Sequence, residues 1–271
     1  MYESFFALKE KPFSIAANPS YLFLSQRHQE ALSYLRYGIK ERLGFIQITG
    51  EVGTGKTTIC RALLNQMDEK TKSAFIFNSD LSGAQLMQTI LEDFGIKPER
   101  KNRASLFFEL NRFLIEQLSL DNNVVLIIDE AQNLSHKSLE QVRMLSNLEA
   151  ENQKLLQIIL VGQPELREKL KSPALRQLRQ RISVRYHIEA LRPEEVPLYI
   201  SHRLNLAGAN GTGPVFDREA VEEILRYSGG IPRLINIVCD KALLLAYVLE
   251  SRTVSAEVIK RSVIEIEGGV A

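Results

Sequence analysis

The octapeptide Gly50-Glu51-Val52-Gly53-Thr54-Gly55-Lys56-Thr57 fits the pattern G-x-x-x-x-G-K-[ST] and stands between the apolar run Phe45-Ile46-Gln47-Ile48 and a helix-like stretch over 58–67. Strand, glycine loop and helix in that order form a phosphate cradle. The glycines let successive backbone N–H groups turn inward, and the helix adds the positive end of its dipole to the same concavity. Lys56 then reaches the β- and γ-phosphates and the Thr57 hydroxyl ligates Mg²⁺. The expected nucleotide contacts are the eight loop residues and Thr58.

A second stretch gives the cradle a chemistry. Val124-Val125-Leu126-Ile127-Ile128 is a continuous apolar run of the kind buried on both faces of a parallel sheet, and it ends in Asp129-Glu130. Ligands of such sheets sit at the carboxyl ends of the strands. Asp129 is therefore the second expected Mg²⁺ ligand, and Glu130 the base that polarises water for in-line attack. The plain alternative for Glu130 is an acidic cap on a helix beginning near Ala131.

Further strands are expected at 45–49, 74–78, 156–162 and 182–188, with helices between them. The amphipathic stretches after 74–78 leave room for another strand to insert between the cradle strand and the Asp-Glu strand. The run 155–162 ends at Gln163-Pro164. A polar side chain there would lie between the other two stretches, so Gln163 is the candidate γ-phosphate sensor; the alternative is a turn residue set by Pro164. Arg176, Arg179, Arg181 and Arg185 surround the start of the last strand. Such a cluster is a solvated face, a phosphate contact, or a trans arginine that completes a neighbouring subunit's site. Arg181 ranks first and Arg176 second for the trans role.

Past Leu191 the pattern reads as helical throughout, with Asp217 and Ser255 as helix caps and Pro232 at a helix start. The segment 208–214 reads as a surface loop. Ser228-Gly229-Gly230-Ile231-Pro232-Arg233 is a tight turn that aims Arg233 in a fixed direction, suited to the phosphates beneath a helical lid.

The 271 residues carry 34 Lys and Arg against 33 Asp and Glu, a net charge of +1 that gives no global electrostatic case for nucleic acid or anionic membrane. Cys60 and Cys239 are isolated and read as reduced core thiols of a cytoplasmic protein. The N-terminus has no signal-peptide pattern. No run reaches the roughly 18 apolar residues of a membrane span.

Together the cradle, Asp129-Glu130-Ala131-Gln132, the polar strand end, the arginines and Gly230-Ile231-Pro232-Arg233 resemble an AAA+ ATPase over nearly the whole chain. Phe5-Phe6-Ala7-Leu8-Lys9-Glu10-Lys11-Pro12-Phe13, Asn18-Pro19-Ser20-Tyr21-Leu22-Phe23-Leu24-Ser25, Gly162-Gln163-Pro164-Glu165-Leu166 and Arg181-Ile182-Ser183-Val184-Arg185-Tyr186-His187 are similar to the general secretion pathway protein A family.

That resemblance implies a five-stranded parallel α/β core followed by a small all-helical lid, divided as 1–40 (an adenine-side segment on the core), 41–191 and 192–271. It implies ATP and ADP with Mg²⁺, and an adenine pocket with Tyr21, Leu24 and His28 as candidates; ordinary core residues are the alternative. It further implies a nucleotide-dependent homo-oligomer at the inner face of the inner membrane, held by a membrane segment outside this chain or by an inner-membrane partner. Such an ATPase serves assembly of a type II secretion or pilus machine, and peptidoglycan is reached only through parts this chain lacks. A second reading is a DNA-bound ATPase of the transposition-regulator or initiator type. A third, a nucleotide-responsive scaffold without turnover, leaves Glu130 unexplained.

Overall fold

The computed structural model describes residues 1–16, 18–77, 81–98, 102–150, 153–209, 211, 213–214 and 215–268. By contacts the chain forms two compact units, one of Met1–Ser25, Glu51–Gly55 and Glu189–Ala271, the other of Gln26–Gly50 and Lys56–Ile188.

The second unit is built on a parallel sheet. Its strands are β1 (Phe45–Gly50), β2 (Thr71–Ile76), β3 (Asn123–Ile128), β6 (Gln157–Gly162) and β7 (Ile182–Ile188), while β4 (Glu149–Ala150) and β5 (Gln153–Lys154) form a separate short antiparallel pair. The sheet order is β2-β3-β6-β1-β7. Every residue of β1 and β6 is buried, as expected of strands covered on both faces. Ile46, Ile48, Ile158 and Leu160 are almost fully buried, and each such side chain contributes about 1.5–3 kcal/mol relative to exposure. The inserted strand is β6: Ile48 lies opposite Val161, and Leu126 opposite Ile158. The chain following β6 therefore emerges between the chain ends of β1 and β3. Of the expected strand 74–78, the structure gives Thr71–Ile76, and Asn78 lies outside the described residues.

The other unit packs the helices Glu195–Leu206, Arg218–Ser228, Pro232–Val248 and Ala256–Ile266 around Val196, Ile224, Ile235, Cys239 and Ile259. Asp217 and Ser255 cap their helices by accepting from Ala220 N–H and Val258 N–H, and Pro232 occupies the first turn of its helix. Two expectations change here. The C-terminal part is not all helical, because β8 (Val215–Phe216) and β9 (Thr253–Val254) pair in parallel. The first forty residues also do not stay together: Met1–Ser25 group with Glu189–Ala271, and the helix Gln26–Lys40 with the sheet. Burial explains the division, since Tyr2, Phe6 and Phe13 lie in the same apolar cluster as Ile235 and Cys239. Arg203 fastens the segment further, with its guanidinium donating to the carbonyls of Pro12 (2.6 Å) and Ser14 (2.9 Å).

Asn210 and Thr212 of the expected loop lie outside the described residues. Cys60 and Cys239 are free and fully buried, and burial pushes both thiols up. No described helix is long and apolar enough to cross a membrane.

Candidate functional site

Gly53 and Gly55 have φ of +86° and +93°, a region costly for residues with a Cβ, so the glycines of the loop are required by its backbone. Thr54 is fully buried and donates its hydroxyl to Glu51 O at 2.9 Å. Val52 is exposed at the surface of the loop.

Lys56 opens the helix Lys56–Leu64, which also contains Thr57 and Thr58. Only 5 % exposed, Lys56 donates from Nζ to Gly50 O at 2.8 Å. The ammonium is thus held along its own loop, on the Gly50 carbonyl. Thr57 Oγ1 donates to Asp129 Oδ2 at 2.6 Å, bringing the hydroxyl and the carboxylate together at the end of β3. Asp129 Oδ1 accepts Glu130 N–H at 2.9 Å, and Asp129 N–H donates to Ile76 O at 2.9 Å. Burial raises the Asp129 carboxyl above its ordinary range, opposed by the Thr57 and Glu130 hydrogen bonds.

Among the described residues no group of three or more His, Cys, Asp or Glu could hold a metal ion. Mg²⁺ needs no such cluster, because it keeps most of its waters and takes one or two protein oxygens plus phosphate. The Thr57–Asp129 pair supplies two oxygens of the right kind.

Glu130 adopts φ 50°, ψ 37°, left-handed backbone that a non-glycine residue rarely holds. Ala131–Asn133 is a single 3₁₀ turn rather than the start of a longer helix, and the Glu130 side chain makes no capping bond to it. The carboxylate is directed elsewhere: Oε2 accepts Gln163 Nε2 at 3.0 Å and also Gln132 Nε2. Gln132 Oε1 in turn accepts Gln163 N–H at 3.1 Å. Gln163, directly after β6, opens the helix Pro164–Leu170 as its N-cap without a side-chain capping bond. The Gln132 carbonyl is held by Lys169 Nζ, which also donates to Leu134 O at 2.9 Å.

Gln132 and Lys169 were not expected at the site. A polar residue two positions past Glu130 was the available sequence signal for Gln132; Lys169 gave none, since its partners are main-chain carbonyls. His187 was likewise missed: Nδ1 lies 3.0 Å from Thr49 Oγ1, one residue before the cradle.

In the helical unit, Arg233 N–H donates to Gly53 O at 3.2 Å, and the Arg233 side chain is exposed. The turn before it needs its glycines: Gly229 (φ 56°) ends the helix Arg218–Ser228, and at Gly230 (φ 81°) a Cβ would lie 2.2 Å from Leu191 O.

The adenine candidates belong to both units. Tyr21 and Leu24 fall in the helical unit and His28 in the sheet unit. Tyr21 is buried, donates to Glu10 Oε1 at 2.7 Å, and lies under the Arg203 guanidinium at 4.5 Å. Leu24 is exposed and His28 buried.

The two arginines ranked for the trans role differ in their surroundings. Arg181 is half-buried, and its Nη1 donates to Ser146 Oγ at 2.7 Å and to Arg143 O at 3.4 Å. Arg176 and Arg179 are exposed, and Arg185 bonds the Arg179 carbonyl.

Residues 39–170 match the family model described as an AAA domain. The sheet order and the loop agree with that match, giving this region the fold of a P-loop α/β domain. More narrowly, the chain is 44 % identical over 269 residues, 99 % of its length, to general secretion pathway protein A of Aeromonas hydrophila. It spans about half of that relative, 49 %.

Among solved structures, Cdc6p from Pyrobaculum aerophilum matches at TM-score 0.70 and 18 % identity, covering 96 % of this chain and 72 % of that one. The Aeropyrum pernix ORC2 protein, solved as ADPNP–ADP complexes, matches at 0.66 and 17 % over 95 % and 72 %. Drosophila ORC bound to DNA matches at 0.72 and 17 % over 96 % and 65 %. At these identities the likeness is one of fold.

Proposed function

We propose that this chain binds ATP with Mg²⁺ and hydrolyses it, and that it does so as an oligomer driving assembly of a type II secretion or pilus envelope machine. Lys56 leaves the Gly50 carbonyl for the β- and γ-phosphates, with the loop N–H groups and Arg233 completing the anion site. Thr57 and Asp129 hold the metal, which when bound neutralises developing phosphate charge. Glu130 takes a proton from the attacking water. Gln163 senses the γ-phosphate, and an arginine from a neighbouring subunit stabilises the transition state.

The observation that carries this reading is the Glu130 carboxylate bonded to the Gln163 amide at 3.0 Å, across the ends of the paired strands β3 and β6. A carboxylate serving only as a helix cap would be directed to backbone N–H groups instead. Lys56→Ala tests the binding half: nucleotide titration should show loss of ATP affinity, and chelation of Mg²⁺ should stop phosphate release by the unaltered chain. Unchanged affinity in Lys56→Ala would overturn the assignment.

The secretion role rests on the relative's name and on the sequence resemblance. It implies action at the cytoplasmic face of the inner membrane together with an inner-membrane partner. In cells, Glu130→Gln should leave the type II secretion or pilus machine unassembled; normal assembly would contradict the role. A DNA-bound ATPase is the second reading; the fold is shared with Drosophila ORC, solved bound to DNA. Salt-sensitive, ATP-dependent retention of duplex DNA by this chain would promote it.

A further inference from the structure

We infer that Gln132 is a positioning residue for hydrolysis: its amide spans the turn after β3 and the end of β6 and holds the Glu130 carboxylate at the place where the sensor Gln163 sits. The inference rests on the proposed reading of Glu130 as the base. Three features of the amide support it. Its Nε2 donates to Glu130 Oε2, its Oε1 accepts Gln163 N–H at 3.1 Å, and the main-chain carbonyl of the same residue is anchored by Lys169. Both ends of the side chain are therefore committed, one to each strand end, and the residue is fastened from behind.

Gly162 reports how closely the bridge is packed. A Cβ there would lie 2.7 Å from Gln132 Oε1 and about 3 Å from Leu166, so glycine at the last position of β6 keeps space open for the amide. The bridge also gives Glu130 a support that survives when Gln163 turns away. Gln163 Nε2 now donates to Glu130, yet the same group is the one proposed to meet the γ-phosphate. When it does, Gln132 alone of these two amides still orients the carboxylate. A base displaced by about 1 Å costs orders of magnitude in rate, while ground-state binding of the nucleotide need not change.

The test compares Gln132→Met, which keeps length but removes the amide, with Gly162→Ala, which displaces the amide without removing it. Affinity for a fluorescent ATP analogue is read beside kcat in each, with thermal unfolding as the control for folding. Both variants are expected to lose about tenfold or more in kcat while the dissociation constant stays within about twofold. Combined with Glu130→Gln, the Gln132→Met change should cost nothing further in single-turnover rate, because Gln132 acts through Glu130. Wild-type kcat in Gln132→Met, parallel loss of affinity and kcat, or full additivity in the double variant would overturn the inference. Glu130→Gln alone separates the two claims. If it abolishes turnover while Gln132→Met is silent, only the role of Gln132 fails; if it hydrolyses normally, the base reading fails and takes this inference with it.

Discussion

Arg233 and Gly53 are joined through their main chains, N–H to carbonyl at 3.2 Å, and so closely that a Cβ on Gly53 would lie 2.4 Å from the Arg233 Cβ. The arginine is thereby tied to the loop through its backbone, whatever its side chain contacts. Gly53→Ala should suffer twice, from the left-handed backbone and from this collision. Gly95→Ala, at φ +77° with nothing within 4 Å of the added methyl, should suffer only the first, about 1–2 kcal/mol. Thermal unfolding should show the larger loss in Gly53→Ala, and nucleotide titration should show weakened binding in that variant alone. Equal stability loss in the two variants would contradict the close packing.

Arg203 holds the carbonyls of Pro12 and Ser14 while only 6 % exposed, with its guanidinium facing the Tyr21 ring. Arg203→Ala should destabilise by about 1–3 kcal/mol, since it leaves the buried Pro12 carbonyl without this donor. Limited proteolysis should then cut within the first 25 residues. Arg203→Lys should not restore protection, because a single ammonium cannot span both carbonyls as the planar fork does.

Arg181 bonds Ser146 and the Arg143 carbonyl while Arg176 is exposed, so we propose to test Arg176 beside Arg181 for action on a neighbouring subunit. Arg176→Ala should bind ATP normally and turn over at least tenfold more slowly. Mixing it with Glu130→Gln, which still donates Arg176, should restore part of the rate. Arg181→Ala should chiefly lower the unfolding temperature. Recovery by mixing in Arg181→Ala but not in Arg176→Ala would restore the order expected from sequence.

Much of the core was legible because its signals are local. The cradle needs glycines and Lys-Thr in a fixed spacing, β1 and β6 show as apolar runs, and the strand that separates cradle from Asp129 is followed directly by the polar residue Gln163. What stayed hidden depends on partners distant in sequence. The bridge from Gln132 to Gln163 crosses 31 positions, and Arg181 reaches Ser146 across 35. The allegiance of the first 25 residues is decided by Phe6 and Phe13 finding helices near the other end of the chain, and no periodicity within 1–25 encodes that. The β8–β9 pair escaped for a different reason: two residues per strand are too few to alternate.

Glu130→Gln is the most direct test that this chain is a hydrolase working through a carboxylate base. The purified variant is incubated with ATP and Mg²⁺, and the nucleotide that remains bound is identified alongside that of the unaltered chain. The account predicts ATP on the variant, at unweakened affinity, and ADP on the unaltered chain, with turnover lowered by about 10²–10⁴. ADP formed by Glu130→Gln at the rate of the unaltered chain would contradict it.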